Sequence, residues 1–94
     1  MKILAIEKEV SGSDWNNKQE ILTTEARHVY ELYLQGYLRE IYFTESHNAV
    51  LILECESRDN AVKLLNEFPL VKNNLIQFDV SELQPYTGLS RLIP

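Results

Sequence analysis

Three side chains in the middle of the chain are the ones best suited to chemistry: Glu40, Tyr42 and Glu54. They sit in two strand-like segments, Tyr37–Glu45 and Ala49–Glu56, rich in β-branched, aromatic and aliphatic residues. The turn formers Ser46, His47 and Asn48 lie between, so a hairpin is expected. A turn of those residues places Ile41 opposite Leu53, Phe43 opposite Leu51, Glu40 opposite Glu54 and Tyr42 opposite Ile52. Carboxylates facing each other across strands repel, and confinement raises one pKa. One then acts as general acid and the other as base on a small substrate, with Tyr42 donating to a substrate carbonyl. The alternative puts both acids at a wet edge, or pairs them with Arg91 or another base of a partner. Tyr42 then packs its ring and wets its hydroxyl.

Ile52, Asp79 and Trp15 are the expected walls of a ligand pocket beside these residues. For Trp15, in a loop of Ser, Gly, Asp and Asn, the options are a lid or a plug at the loop base. His28 is expected on the solvated side of a helix and His47 exposed in the hairpin turn. Two histidines without a nearby Cys or an HExxH spacing make no metal site. Ser11-Gly12-Ser13 lacks the Lys and second Gly of a phosphate loop. No serine sits in a GxSxG elbow. The single Cys55 lies in an apolar run and reads as a buried hydrophobe. No cofactor is implied.

The elements that must position these residues follow from periodicity. Lys2–Val10 reads as a strand. Thr23 is a suitable cap for a helix whose apolar stripe is Ala26, Val29, Tyr30, Tyr33 and Tyr37, with Gly36 as its stop. After the hairpin, Ser57 caps a helix carrying Ala61, Leu64, Leu65 and Phe68 on one face, ended by Pro69. Leu75–Leu83 alternates as a last strand. The order β-α-β-β-α-β predicts an α+β, ferredoxin-like fold over residues 1–94 as one domain. Its sheet is antiparallel, four-stranded, in the order 4-1-3-2, with both helices on one face.

Alternation leaves a mixed second face. Val50, Ile52, Leu75 and Leu83 are too apolar for open water, and Glu40, Glu54 and Asp79 too charged for a dry core. Such a face suits a subunit interface around a partly polar cavity. Two sheets facing each other make a dimeric α/β barrel. The tail 84–94 adds Leu89, Leu92 and Ile93, for which a small core has little room, so it is expected to pack on a partner subunit.

Composition limits the partners. Of 94 residues, 14 are acidic and 9 basic, giving a net charge of −5 with no basic cluster. That argues against nucleic acid and against an anionic membrane surface. The apolar start Met1–Ile6 stops at Glu7-Lys8-Glu9, too short for a signal peptide, and no run approaches the ~20 residues of a membrane helix. A cytoplasmic homo-oligomer is expected.

Three segments carry a family resemblance. Ser57–Val71, with its Ser-x-Asp start, paired leucines and Pro-Leu exit, resembles the second-helix segment of muconolactone isomerase. Ile76-Gln77-Phe78-Asp79-Val80 and Leu83 resemble its last strand, and Gly36-Tyr37-Leu38-Arg39-Glu40-Ile41-Tyr42 its Gly-x-x-Arg strand. The match covers roughly residues 25–84. The Trp15 loop, Val71 after Pro-Leu, and Gln84-Pro85-Tyr86 depart from the family, and no catalytic residue of the family falls on a matching position. The resemblance implies a dimeric α/β barrel that assembles further, and a cofactor-free isomerase shifting a proton within a small organic acid or lactone. The alternative is a non-catalytic small-molecule-binding or assembly module.

Overall fold

The computed structural model describes residues 1–94. Its elements are β1 (Lys2–Glu9), α1 (Gln19–Leu34), β2 (Leu38–Phe43), β3 (Ala49–Glu54), α2 (Arg58–Asn66), α3 (Pro69–Lys72) and β4 (Ile76–Leu83). The antiparallel sheet runs β2-β3-β1-β4, as expected, with β1 flanked by β3 and β4. This is the ferredoxin-like α+β arrangement.

One face of the sheet is dry because alternation puts aliphatic residues there. Ile3, Ala5, Leu51 and Leu53 are fully buried, and Phe68, Leu65 and Ala61 of the α2 region close over them. The Ser57 hydroxyl accepts the Asn60 N–H at 3.1 Å, capping α2 as predicted. Pro69 does not simply end that helix. It occupies the first turn of α3, where its missing N–H costs nothing.

Helix α1 differs from expectation in start and rotation. It begins at Gln19, and Thr23 is inside it, its hydroxyl donating back to the Gln19 carbonyl. The face toward the sheet is Ile21, Glu25, His28, Val29 and Leu32, not the tyrosine stripe; Tyr30 and Tyr33 are each 60% exposed. Aliphatic and small contacts fit close to the sheet, whereas a tyrosine tolerates water at its hydroxyl. Its stop is as predicted. Gly36 has φ +86, its N–H donates to Tyr33, and the Tyr37 N–H donates to Leu32, which is a Schellman ending.

The hairpin closes earlier than predicted. The Thr44 N–H donates to Asn48 O, the His47 N–H donates to Thr44 O, and His47 takes φ +61. Thr44–Asn48 is therefore all turn, and Phe43 pairs with Ala49. Ile41 faces Leu51, Tyr42 faces Val50 and Glu40 faces Ile52. The expected Glu40–Glu54 pair does not form. The slip spans an even number of residues, so each side chain keeps its face while changing its partner. A bulge between Leu38 and Glu40 absorbs Arg39 and lets Leu38 remain buried against Leu53. Leu75 also departs from expectation. It precedes β4 and is buried with Leu70 and Ile76 rather than lying on the open face.

That open face carries no second layer. Leu4, Val50 and Ile52 are half-buried there by their neighbours, beside exposed Ile6 and Leu83. The tail forms a short helical turn over Gly88–Leu92 with no buried residue. The Cα radius of gyration is 15.5 Å and the long axis 61 Å. A compact chain of this length has a radius of gyration of about 12 Å. The tail therefore runs off the body.

Candidate functional site

The concavity richest in apolar side chains lies under the helix layer. A cavity of about 490 Å³ opens between α1 and the β2-β3 end of the sheet. Its volume suits a small molecule. The sheet supplies Glu7, Ile41, Phe43, Ala49, Leu51 and Phe78; α1 supplies Leu22, Glu25, Ala26 and Val29. Phe68 and Leu70 close the back, while Trp15, Glu9 and His47 come from the ends of β1 and the turns. Phe43, the last residue of β2, is 70% exposed at the mouth.

Two carboxylates are fixed at the walls. Glu7 continues the inward alternation of Ile3 and Ala5, and its Oε1 accepts the Ala49 N–H at 3.0 Å. Glu25 projects from the sheet-facing side of α1, and its Oε1 accepts the Leu70 N–H at 3.0 Å. Burial pushes the Glu25 carboxyl above its ordinary range; the Leu70 N–H opposes this, and the charge of Glu7 adds to it. The site thus holds a carboxyl readier than usual to take and keep a proton.

His28 is a neighbour of this layer and a correction to the expected solvated histidine. Its ring stands edge-on to Phe68 at 4.8 Å, and its buried Nε2 has no hydrogen-bond partner. Burial lowers its pKa, against the opposing pull of Glu31 and Glu67. His47 is exposed as predicted, at the cavity mouth beside Phe43 at 5.5 Å between ring centroids.

Of the six candidates named from sequence, Trp15 alone lines this cavity. It is half-buried, with Nε1 donating to Ser13 Oγ at 3.1 Å. Glu40 and Tyr42 lie together on exposed β2, where the Tyr42 hydroxyl donates to Glu40 Oε1 at 2.8 Å. That bond pushes the Tyr42 phenol up. Glu54 binds the terminal ammonium at 2.6 Å, which holds its carboxyl below the ordinary range. Asp79 pairs with Lys8 at 3.1 Å on the open face, and Ile52 lies between β1 and β2 on that face. The structure brings Glu40 to Tyr42 and leaves Glu54 and Asp79 apart from both.

Glu7 and Glu25 were legible and missed. An acid at the inward position of β1, after Ile3 and Ala5, breaks an apolar alternation. Ile21, Glu25, Val29 and Leu32 form a helical stripe of larger aliphatic content than the tyrosine stripe.

Cys55 is buried, as expected, and its thiol is pushed up by that burial. No group of three or more His, Cys, Asp or Glu side chains is arranged to hold a metal ion. No helix is long and apolar enough to cross a membrane.

No family model and no curated protein matches the chain. Among solved structures, it is similar to 5-chloro-2-hydroxyhydroquinone dehydrochlorinase (TftG) from Burkholderia phenoliruptrix AC1100, in complex with 2,5-dihydroxybenzoquinone. The TM-score is 0.63 at 21% identity, covering 94% of this chain and 98% of that one. The two proteins share the fold.

Proposed function

We propose that the chain is a small-molecule enzyme of the muconolactone isomerase type, shifting a proton within a small unsaturated ring held between α1 and the sheet. The observation that carries this reading is Glu25, a half-buried carboxyl with a raised pKa, anchored by Leu70 and facing an apolar cavity. The ionised carboxylate removes a ring proton beside a carbonyl. The electron pair of the broken C–H bond delocalises into that carbonyl. The resulting carboxylic acid returns the proton at the far end of the conjugated system, and the carboxylate is restored. Electrons and protons balance within the ring, with no oxidant and no cofactor required. Burial raises the Glu25 pKa, which makes its carboxylate a stronger base for taking the ring proton. Trp15, Phe43 and Phe78 offer aromatic surface to a planar ring.

Two further observations support the reading: the resemblance of residues 25–84 to muconolactone isomerase, and a shared fold with an enzyme solved with a small quinone. The test is proton exchange. α-Angelica lactone in deuterated buffer should exchange and isomerise faster with the protein than without it, followed by proton NMR. Glu25→Gln should abolish the acceleration. An unaccelerated rate with folded protein rejects the proposal.

A second reading, an assembly module, is favoured by the exposed apolar tail and the uncovered sheet face. The two are compatible, since the cavity and the open face lie on opposite sides of the sheet. We propose a homo-oligomer that uses the open face and the tail for contact.

A further inference from the structure

The cavity has an unusual charge lining for a site reading organic acids. Of its fifteen lining residues, three are carboxylates (Glu7, Glu9 and Glu25), one is histidine, and none is lysine or arginine. Several of the chain's bases are engaged elsewhere. Lys8 pairs with Asp79 on the opposite face, and Lys72 pairs with Glu67. Arg39 donates to the Gly36 carbonyl, and Arg58 donates to the Val80 carbonyl.

Two backbone donors at the wall, which could stand in for a base, are also taken. The Ala49 N–H is bound by Glu7, and the Leu70 N–H by Glu25. An anionic ligand would therefore leave water for a cavity of apolar and aromatic side chains. It would find no lysine or arginine there, and like charge on the wall. Desolvating an unpaired anion is costly, and carboxylates at the wall add repulsion that a low-polarity cavity screens poorly.

We infer that the ligand of this cavity is a small unsaturated ring bearing no carboxylate, sulfonate or phosphate, recognised by aromatic contact and as a neutral hydrogen-bonding partner of Glu25. The inference rests on the cavity being the ligand site, and it narrows the substrate class to uncharged lactones, enones and their like. It separates this chain from any enzyme that holds its substrate by an acidic arm, because nothing here would grip that arm.

The test uses a matched pair and the wild-type protein. Trp15 is the chain's only tryptophan and lines the cavity, so its emission reports occupancy. β-Angelica lactone is titrated alongside the same unsaturated lactone carrying a carboxymethyl arm, each at low and high salt. The neutral lactone should bind about tenfold tighter or more. Raising the salt should tighten only the acidic analogue, because ions screen its repulsion from the wall. Glu9→Gln, and independently Glu7→Gln, whose amide oxygen can still accept the Ala49 N–H, should each narrow the gap. Equal affinities, or tighter binding of the acid, overturn the inference and leave the cavity reading standing. If neither lactone alters Trp15 emission or exchanges protons with solvent, the cavity reading fails and the inference with it.

Discussion

Glu25 of α1 accepts the backbone N–H of Leu70 in α3 at 3.0 Å, so the carboxyl placed at the cavity also ties together the two elements that roof and close it. The same residue therefore carries both a stability signature and the proposed chemistry. Its pKa is raised in the folded state, chiefly by burial, so folding favours the protonated form. The stability this contributes is fully present below the ordinary carboxylate pKa and is lost as pH rises through the raised value. Glu25→Gln mimics the protonated form and retains an oxygen for the Leu70 N–H. Its melting temperature should match wild type near about pH 4 and exceed it near about pH 8. A variant less stable than wild type at both pH values contradicts the assignment.

Phe68 is 1% exposed and touches two rings edge-on, His28 at 4.8 Å and Phe78 at 5.4 Å between centroids. Phe68→Ala opens the back of the cavity into the core. The expected loss is roughly 3–5 kcal/mol, a fall of more than about 10 °C for a domain this small. The histidine gives a second readout. Burial holds the His28 pKa down, so removing the ring that packs on it should return that pKa toward its ordinary value. NMR titration of the His28 ring protons, in the folded variant, measures it. An unchanged His28 titration would mean that Phe68 does not bury it.

The topology was legible because each element has its own punctuation: Gly36 for the end of α1, Ser57 for the start of α2, and the period-two pattern of Ile76, Phe78 and Val80. The register was not. It depended on whether Thr44 and Glu45 were strand or turn, and both are compatible with either state in isolation. A left-handed His47 and a bulge at Arg39 decided it, and neither has a glycine to advertise it. The helix rotation failed for a different reason. Tyrosine counts as apolar in a stripe but is also content in water, so Tyr30 and Tyr33 could not vote reliably against Glu25 and His28. The helix rotation carries Glu25 to the cavity, whereas the register change leaves each side chain on its face. Glu40, Glu54 and Asp79 lie on the uncovered face, and Glu7 and Glu25 on the covered one. A carboxylate on a buried stripe, answered by a backbone N–H of another element, is the stronger sign of a built site.

Glu40 and Tyr42 test where the chemistry lies. Hydrogen bonding to Glu40 raises the Tyr42 phenol, because it stabilises the protonated hydroxyl. Glu40→Gln removes the neighbouring charge and should lower that pKa toward the ordinary phenol value, readable by NMR of the Tyr42 ring. Lactone exchange should persist in this variant and vanish in Glu25→Gln. The reverse pattern would move the site to β2, where the sequence alone had placed it.

Glu54 has a lowered pKa, first through its bond to the terminal ammonium. The stability it lends is present above the ordinary carboxylate range and is lost as pH falls through the depressed value. Glu54→Gln should therefore leave the acid limb of the melting curve flatter than wild type, with the two curves converging at the most acidic pH. Blocking the terminal amine by acetylation should reproduce part of that flattening. A curve that stays parallel to wild type across the acid range would show that the ion pair is not populated in solution.

The tail offers the most direct test of assembly. Tyr86, Leu89, Leu92 and Ile93 are 65–80% exposed, and nothing in residues 88–92 is buried. Contiguous apolar side chains of this kind mark a surface that water does not favour, and a second copy supplies both a partner and the uncovered sheet face to meet it. Deleting residues 84–94 removes no core side chain, so the body should keep its fold. The full chain should scatter light as a multiple of 11.0 kDa and melt higher as its concentration rises. The shortened chain should have a smaller assembly mass and lose most of that concentration dependence. If the full chain elutes as a monomer and its melting temperature ignores concentration, the tail has no subunit to pack against.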